Sequence, residues 1–268
     1  MKSLSILSAN LRCDNPFDGI NAWSLRKEWQ VENLKKANAD IIGFQECMAH
    51  MRDYLEQEMP EYFFLGTGRD PNMRGEGMAV AYRKERFYPL WMKTFWLSLT
   101  PNVPGSSYGL GQSACPRCVT AVQLDEKVTG DTILFYNTHT DHRGAVPRLL
   151  AAVQIRQQMA YDIPACPAVP LAAFATGDFN AYPGEDWYEA MTSKDGFQDA
   201  SPNLGMTYHG WGDPQFEKEP QIDFVFAKAI GATGLSWKAT KIGAVTPEGQ
   251  YTSDHWWVLS EISIEGGK

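Results

Sequence analysis

Short apolar runs, many of them ending in a polar residue, recur along this chain and constrain its fold more than any other feature. Runs of about four to eight apolar residues are typical of strands that are buried on both faces. The pattern predicts strands at 4–11, 40–45, 77–82, 86–97, 119–124, 132–139, 171–176, 222–226, 234–240 and 256–262. It predicts helices at 25–39, 50–58, 146–161 and 185–192, the first of them capped by Ser24.

Strands outnumber helices, and no long polar linker interrupts the chain, so we expect one α/β domain over residues 1–268. Two mixed β-sheets packed face to face and flanked by helices, a four-layer sandwich, would bury strands that are apolar on both faces. No apolar stretch reaches the length of a membrane span, so no membrane contact is predicted. The first residues lack a signal-peptide pattern, which favours a cytoplasmic location and leaves export open if further residues precede them.

Net charge and cysteine usage narrow the functional classes. The formal net charge of −8 argues against a long nucleic acid as substrate, since proteins that follow a phosphate backbone usually carry a basic stripe. Five cysteines without regular spacing predict free thiols in a reducing compartment. Cys115 and Cys118 have the C-x-x-C spacing, but a second such pair and a thioredoxin-like context are missing, which disfavours zinc or redox chemistry.

Polar residues at the strand ends are the candidate functional groups. Six strand ends carry carboxylate, amide or imidazole side chains: Asn10; Glu46; His139 with Asp141 and His142; Asp178 with Asn180; Asp223; and Asp254 with His255. Each has an ordinary structural explanation by itself, such as an Asx turn for Asp178 or a buried hydrogen bond for Asp223. Because ligand sites form where strand ends converge, the six together predict a functional site.

These groups have the chemistry that metal-assisted phosphoester hydrolysis needs. Mg²⁺ prefers oxygen ligands and takes one or two carboxylates, which suits Asn10 and Glu46. Asp178 and Asn180, two residues apart on an extended chain, are suited to deprotonate and align a water molecule. An imidazole held by a carboxylate, as Asp223 would hold a histidine, serves as a base or as a phosphate ligand.

The segment 139–142 also allows a different metal. His139, Asp141 and His142 are all zinc ligands by residue type. In a strand, however, residues 139 and 141 share one face, whereas residue 142 points to the other. The spacing is therefore poor for a three-ligand zinc site unless the chain turns there.

The same strand ends give the chain a resemblance to the endonuclease/exonuclease/phosphatase superfamily. The matching stretches occur in the family's order: LSANLR, IIGFQE, YNTHTDH, GDFNAYP, QIDFVF and SDHWWV. They cover nearly the whole chain, and all six in order are far more specific than GDFN alone. Within the superfamily, the chain is most similar to the bacterial branch, near the deadenylase-like group. This similarity lies in two stretches, TFWLSLTPNVPG and CPRCVT. The resemblance implies a deoxyribonuclease-like fold and a phosphoric ester hydrolase that uses Mg²⁺ or Mn²⁺.

The resemblance also implies roles for individual residues. Three residues would form the metal site: Asn10, Glu46 and Asp254. Five residues would act on the water and the scissile phosphate: His139, Asp178, Asn180, Asp223 and His255. In this assignment Asp178 activates or orients the water, and Asp223 orients His255. Which residue takes the proton stays open.

Further positions are expected to bind the substrate or support the site. By resemblance Arg117 would bind phosphate, although a solvated loop arginine is the alternative, and Glu76 would hold His139 unless it is a solvated turn acid. Trp211, in the loop TYHGWGDPQF, is the aromatic candidate for stacking on a base or sugar. Gln221 departs from the family, in which arginine is frequent at this position. An anionic substrate would therefore contact one positively charged residue fewer.

We therefore predict a metal-dependent phosphoesterase that acts on a small phosphoester or an oligonucleotide end by in-line attack of an activated water. No protein partner is predicted. The first alternative is a nuclease acting on DNA or RNA by the same chemistry. The second is a non-catalytic binding module on the same fold, which would be expected to have lost site residues. A thiol redox protein using Cys115 and Cys118 is the third.

Overall fold

The computed structural model describes residues 1–243 and 245–266 of the chain. The last two residues of the predicted domain, 267–268, lie outside the described residues. The strands are β1 (Ser3–Asn10), β2 (Ile41–Gln45), β3 (Tyr62–Leu65), β4 (Val80–Arg83), β5 (Phe87–Trp96), β6 (Cys118–Glu126), β7 (Thr132–His139), β8 (Ala172–Asp178), β9 (Gln198–Asp199), β10 (Asp223–Ala229), β11 (Gly234–Ile242) and β12 (Trp257–Glu265). The helices are α1 (Trp23–Ala37), α2 (Ala49–Glu58), α3 (Ala145–Ala165) and α4 (Asp186–Thr192).

Two six-stranded sheets are built on the same plan, each with a parallel pair at its centre. The strand order is β11-β12-β1-β2-β4-β3 in the first sheet and β5-β6-β7-β8-β10-β9 in the second. Strand β1 runs parallel to β2, and β7 runs parallel to β8. Because parallel neighbours have their carboxyl ends at the same edge, these two pairs bring four strand ends to one edge of the sandwich.

Three apolar layers confirm the predicted four-layer sandwich. The layer between the sheets contains Ile6, Ile41, Phe135 and Phe174. Alternate residues of the same strands, such as Leu7 and Ile42, pack outward with residues of α1 and α2. On the other side, residues of α3 and α4 pack with the outer face of the second sheet. Burial of both faces explains why most strands read as nearly continuous apolar runs.

The predicted elements are confirmed apart from their ends and two short strands. The sequence reading missed β3 and β9, since an edge strand of four residues and a strand of two carry little periodicity. Ser24 is not the helix cap, because α1 begins at Trp23 and Ala22 precedes it. Helix α3 continues through Pro164, where Ile163 extends its packing against the second sheet. None of the described helices combines the length and apolar character that crossing a membrane requires.

A buried polar layer joins the two sheets just below the strand ends. The Asn137 Nδ2 donates hydrogen bonds to the backbone oxygens of Phe44, at 2.7 Å, and Ala79, at 2.9 Å. Its Oδ1 accepts from Gln45 Nε2 at 2.7 Å and from Thr176 Oγ1 at 3.0 Å. Every hydrogen-bonding atom of this amide therefore has a partner. The layer fixes the spacing between the sheets at Asn137 and Thr176, two residues before β7 and β8 end.

Candidate active site

The predicted site residues meet at the edge where the parallel pairs end. Asp178, the last residue of β8, lies directly opposite His139 of β7 and Asp223 of β10 in the strand register. Strand β12 runs antiparallel to β1, so the segment before β12, with Asp254 and His255, reaches the same edge. Both sheets therefore contribute acids and imidazoles to one buried cluster.

Asn10 links the carboxylates of the two sheets. Its Nδ2 donates to Glu46 Oε1 at 3.2 Å and to Asp178 Oδ2 at 3.0 Å. The other oxygen of Glu46 accepts from the backbone N–H of Cys13 at 2.9 Å. The Asn10 Oδ1 accepts from the backbone N–H of Arg12 at 2.9 Å, and an amide oxygen has a second lone pair for a further partner.

Backbone strain is concentrated around the same edge. Arg12, Glu46 and Asn180 have φ angles of 57°, 59° and 49°, in the left-handed region that residues other than glycine rarely adopt. Each such residue costs about 1–2 kcal/mol, less for asparagine. Strained residues of this kind often mark functional positions, and these three carry or flank the acids of the cluster.

Asp178 is the centre of the cluster. Its Oδ1 accepts from the backbone N–H of Asn180 at 2.9 Å, so the predicted turn geometry and the predicted site coexist. Its Oδ2 lies 3.4 Å from His139 Nε2 and 3.8 Å from His255 Nε2. Burial, with repulsion from Asp223, raises the pKa of Asp178 to about 7, against the opposing effect of His255. This carboxylate is thus poised to exchange a proton near neutral pH.

The two histidines on either side of Asp178 have opposite charge states. His255 Nδ1 lies 2.9 Å from Asp223 Oδ2. Burial lowers the pKa of His255, but the nearby carboxylates, Asp223 first, raise it to about 10, so this imidazole is charged at neutral pH. Burial, together with the charges of Arg117 and Arg69, holds the pKa of His139 well below its usual value. His139 is therefore neutral, and its Nδ1 has no partner among the described residues.

Asp254 and its neighbours have the donor atoms that a hard divalent cation prefers. Asp254 Oδ1 and Asp223 Oδ1 are buried oxygens without a hydrogen-bond donor in the described part of the chain. Burial raises the pKa of Asp254 to about 6, although His255 and Arg12 oppose the shift. Two groups have ligand atoms within 4.8 Å of one another: Glu46, Glu76 and His139; and Asp178, Asp223 and His255. Acids this close favour a bound positive charge, so the residues fit a divalent metal cation.

Two buried arginines border this cluster. Arg117 is 3% exposed, which excludes the alternative of a solvated loop arginine. Its Nη2 lies 3.0 Å from His142 Nδ1. Its Nε and Nη1 have no hydrogen-bond partner among the described residues. Arg69, which the sequence reading missed, donates from Nη2 to Glu76 Oε1 at 2.6 Å. Glu76 is thus paired with Arg69, and no described hydrogen bond joins it to His139. Arg69 lies in an irregular loop, where no periodic pattern could have indicated it.

Asp141 has a structural role that disfavours the zinc alternative. Its Oδ1 accepts from the backbone N–H groups of Arg143, at 3.0 Å, and Gly144, at 2.7 Å. Its Oδ2 accepts from the backbone N–H of Ser113 at 3.0 Å and from the Ser113 hydroxyl. Its Oδ2 thus attaches the long loop 98–115 to the end of β7, and its Oδ1 holds the turn that leads into α3. His142, the third proposed zinc ligand, contacts Arg117 instead.

The cysteine pair also has a structural environment. All five cysteines carry free thiols. Cys118 lies within β6 and packs in an apolar cluster with Met78 and Trp96. Burial raises the pKa of Cys118 to about 12, and a thiol that stays protonated is a poor nucleophile. These observations disfavour the redox alternative.

A third buried arginine holds the site loops together. The Arg26 guanidinium, on α1, donates to five backbone oxygens: those of Leu11, Arg12, Cys13, Asn21 and Thr252. Gln30, one turn later, donates to Leu11 and Thr252 as well. Arg26 and Gln30 therefore connect the chain that follows Asn10 to the chain that precedes Asp254.

Trp211 contacts this arginine. The centre of its ring lies 5.6 Å from Arg26 Cζ, and Trp211 itself has a φ of 65°. Its stacking on substrate stays a prediction. Of the other tryptophans near strand ends, Trp23, Trp96 and Trp187 are buried in apolar clusters.

Gln221 is used inside the second sheet. The side chain is 3% exposed, and its Nε2 donates to the backbone oxygens of Ser201, at 2.9 Å, and Asp223, at 2.8 Å. Its Oε1 accepts from the backbone N–H of Leu204 at 3.3 Å. The residue at this departure from the family thus braces the start of β10.

A two-sheet sandwich with acids and imidazoles at its strand ends is the architecture of deoxyribonuclease-like phosphoester hydrolases. The chain belongs to the Endonuclease/Exonuclease/phosphatase family, whose model matches residues 7–255. This confirms the superfamily that the six sequence stretches indicated, and it identifies the protein as a hydrolase of phosphoesters.

Solved structures extend this comparison over the whole chain. An endonuclease/exonuclease/phosphatase from Bacteroides vulgatus is 29% identical, with a TM-score of 0.88 over 99% of this chain and 100% of that chain. A mannosyl-6-phosphatase from Bacteroides thetaiotaomicron is 28% identical, with a TM-score of 0.85 over 97% of this chain and 99% of that one. A sequence relative matches over a shorter range. An uncharacterized protein of Acanthamoeba polyphaga mimivirus is 24% identical over 131 residues, which span 47% of this chain and 48% of that protein.

Proposed function

We propose that this protein hydrolyses a phosphoester with the help of Mg²⁺ or Mn²⁺, by in-line attack of an activated water. The observation that supports this proposal most strongly is the position of Asp178, a buried carboxylate with a pKa of about 7. It lies between a charged and a neutral imidazole and is bonded through Asn10 to Glu46. A general base is most effective when its pKa is near the working pH.

The metal residues in this proposal are Glu46, Asp254 and Asn10. Glu46 is the principal ligand, because its carboxylate is ionised: burial raises its pKa, but the Cys13 N–H and the His255 charge lower it below the usual value. Asp254 contributes an oxygen that has no donor among the described residues. When bound, the cation supplies Lewis-acid charge that offsets negative charge on the phosphoryl oxygens.

The water and the phosphate are positioned by the remaining residues. Asp178 orients the attacking water and accepts its proton, while Asn180, whose Nδ2 donates to Thr140 O at 3.1 Å, presents its side-chain oxygen at the turn. Charged His255, aligned by Asp223, binds a phosphoryl oxygen and stabilises its developing charge. Neutral His139 binds the phosphate from the other side, and Arg117 adds a fixed cation at the border.

The substrate in this proposal is a small phosphoester or an oligonucleotide end. The net charge of −8 supports a small substrate, and so does the likeness to a structure described as a mannosyl-6-phosphatase. A nuclease with the same chemistry is the alternative substrate class. The complete set of acids and histidines disfavours a binding module that has lost catalysis. The free thiols support a reducing compartment such as the cytoplasm.

A substrate panel tests the proposal. The protein would be stripped with a chelator and assayed with and without Mg²⁺ or Mn²⁺ on p-nitrophenyl phosphate, bis-p-nitrophenyl phosphate, mannose 6-phosphate, an inositol phosphate and an end-labelled oligonucleotide. Asp178→Asn would be compared with Asp53→Asn, which changes an exposed aspartate on α2. Metal-dependent turnover that Asp178→Asn removes and Asp53→Asn retains is expected. Turnover that survives in Asp178→Asn would contradict the proposal, and metal binding without any turnover would favour the binding module.

A further inference from the structure

Arg69 and Arg117 carry buried N–H groups for which the protein supplies no acceptor. Arg117 Nε and Nη1 and Arg69 Nη1 have no hydrogen-bond partner among the described residues. Arg117 is 3% exposed and Arg69 is 7% exposed, so these nitrogens are removed from bulk solvent. Unpaired buried donors are rare in folded proteins and each costs about 1–3 kcal/mol.

Arg117 also lacks a direct ion-pair partner in the described part of the chain. None of the ion pairs formed by the described residues includes Arg117, whereas Arg69 is paired with Glu76. Within the described ranges, the only side chain in hydrogen-bond contact with Arg117 is that of His142, whose Nδ1 accepts from Nη2. Among the described residues, the carboxylates of Glu76 and Asp178 act on Arg117 only from beyond ion-pair distance, so an anion from outside would be its first direct partner.

Both arginines are held in place by their backbones. Arg69 accepts at its oxygen from Trp96 Nε1 at 2.6 Å and donates from its N–H to Glu76 O at 3.1 Å. The Arg117 oxygen accepts from the Leu97 N–H at 2.8 Å. Their side chains are buried and contact Glu76 and His142, so the two guanidinium groups lose little freedom when an anion binds, which favours affinity.

The two guanidinium groups lie beside the reacting position. Arg69 contacts Glu76, whose carboxylate is within 4.8 Å of the ligand atoms of Glu46 and His139. The two arginines are also the principal charges acting on His139, and Asp178 acts on Arg117. An anion bound by both arginines would therefore be the phosphate that reacts or a group directly attached to it.

We propose that Arg69 and Arg117 form a clamp for the dianionic terminal phosphate of a phosphomonoester, so that the enzyme is a phosphatase with a preference against phosphodiesters. This proposal rests on the proposed function. A monoester phosphate carries nearly two negative charges at neutral pH and has three terminal oxygens, enough to meet the histidines and both arginines. A diester carries one charge and two such oxygens, and its second substituent would lie against the clamp.

The test compares matched substrates on matched variants. Rates would be measured with Mn²⁺ on p-nitrophenyl phosphate and bis-p-nitrophenyl phosphate for the wild type, Arg69→Gln and Arg117→Gln. The controls are Arg74→Gln and Arg143→Gln, which change exposed arginines in the neighbouring segments. We expect the clamp variants to lower kcat/KM for the monoester about tenfold to a hundredfold, and to lower it for the diester by a factor that is at least about threefold smaller. Equal losses on both substrates, or none on either, would overturn the clamp.

Two further measurements separate the clamp from misfolding and from the proposed function. Inorganic phosphate, titrated by calorimetry, is expected to bind the wild type and the controls and to bind the clamp variants at least about tenfold more weakly. Arg117→Gln should be at least as stable as the wild type, because it removes an unpaired buried charge. One outcome would reject the clamp and leave the proposed function standing: Asp178→Asn abolishes hydrolysis of the diester, and both arginine variants bind inorganic phosphate as tightly as the wild type. If Asp178→Asn leaves all turnover intact, the proposed function itself fails.

Discussion

Two polar layers lie two residues apart on the same strands, and they differ in how their hydrogen bonds are completed. In the first, Thr176 of β8 bonds to Asn137 of β7, and Asn137 bonds to the opposite sheet. In the second, His139 and Asp178 end the same strands among acids and imidazoles whose atoms are only partly matched. Since residues two apart share a face of a strand, both layers point into the space between the sheets.

The difference shows how one architecture separates stability from function. The Asn137 amide is fully bonded within the protein, so it stabilises the fold and has nothing left for a ligand. The Asp178 layer leaves buried oxygens of Asp223 and Asp254 and, at its border, N–H groups of Arg117 without hydrogen-bond partners among the described residues. Such a layer is costly to the free protein and becomes favourable only when ligands of opposite charge bind. Substitutions in the two layers should therefore have opposite effects on activity and stability.

The largest effect is expected from Asp178→Asn. Removing the proton acceptor should lower kcat about 10²–10⁴-fold. The free energy of unfolding should stay the same or rise, because the change removes a buried charge that Asp223 and Glu46 repel. Steady-state rates and urea unfolding of the same preparation check both parts. A large loss of stability would show that this layer holds the fold together and would remove the contrast.

The complementary change is Asn137→Ala. It leaves the oxygens of Phe44 and Ala79 and the donors of Gln45 and Thr176 without their partner. We expect the free energy of unfolding to fall by about 3 kcal/mol or more, since each buried unpaired group costs about 1–3 kcal/mol.

Urea unfolding of this variant should be compared with Asn102→Ala, which changes an exposed asparagine and should be nearly neutral. Gly43→Ala offers a second approach to the same layer, because an added Cβ would lie 2.0 Å from Thr176 Oγ1 and 2.6 Å from Asn137 Oδ1. If both core variants are as stable as Asn102→Ala, the polar layer does not fix the sheets.

Arg26→Lys tests how the second layer is held in position. A lysine has three donors on one nitrogen and cannot serve the five backbone oxygens that the guanidinium reaches. We expect a loss of about 2 kcal/mol in stability and roughly a tenfold fall in kcat, because the chains carrying Asn10 and Asp254 lose their common support. Lys35→Arg, on the exposed side of α1, is the control. A normal kcat in a destabilised Arg26→Lys protein would limit this arginine to the fold.

The smallest effect is a pH-dependent one at Asp141, outside both layers. Burial raises the pKa of Asp141, but hydrogen bonds from Ser113, Gly144 and Arg143 lower it below its usual value. The ionised form is thus favoured in the folded state, so its contribution is complete above about pH 3.9, the usual value, and is lost as pH falls through the folded-state pKa.

Asp141→Asn should therefore be less stable than the wild type by about 1–2 kcal/mol at pH 7, and the difference should narrow below about pH 4. Urea unfolding at pH 3, 4, 5 and 7 measures it. A difference that is constant across this range would mean that the charge of Asp141 contributes nothing.

The sequence indicated which residues of the second layer lie together, whereas it gave no sign of the first layer. Glu46 follows β2, Asp178 ends β8 and His255 precedes β12, and a polar residue at the boundary of an apolar run is visible without a structure. Asn137 lies inside an apolar strand, where nothing local distinguishes it. Arg69 and Arg26 owe their roles to partners distant in the chain, so only the packing of the sheets and loops shows what they contact.

The central claim is that the acids of the second layer are matched by a divalent cation, and calorimetric titration with Mn²⁺ tests it most directly. The wild type and Glu58→Gln, a change of an exposed glutamate on α2, are expected to bind Mn²⁺ alike. Glu46→Gln is expected to bind at least about tenfold more weakly, because it loses an ionised ligand. Absence of binding in the folded wild type, or equal binding by Glu46→Gln, would contradict the claim.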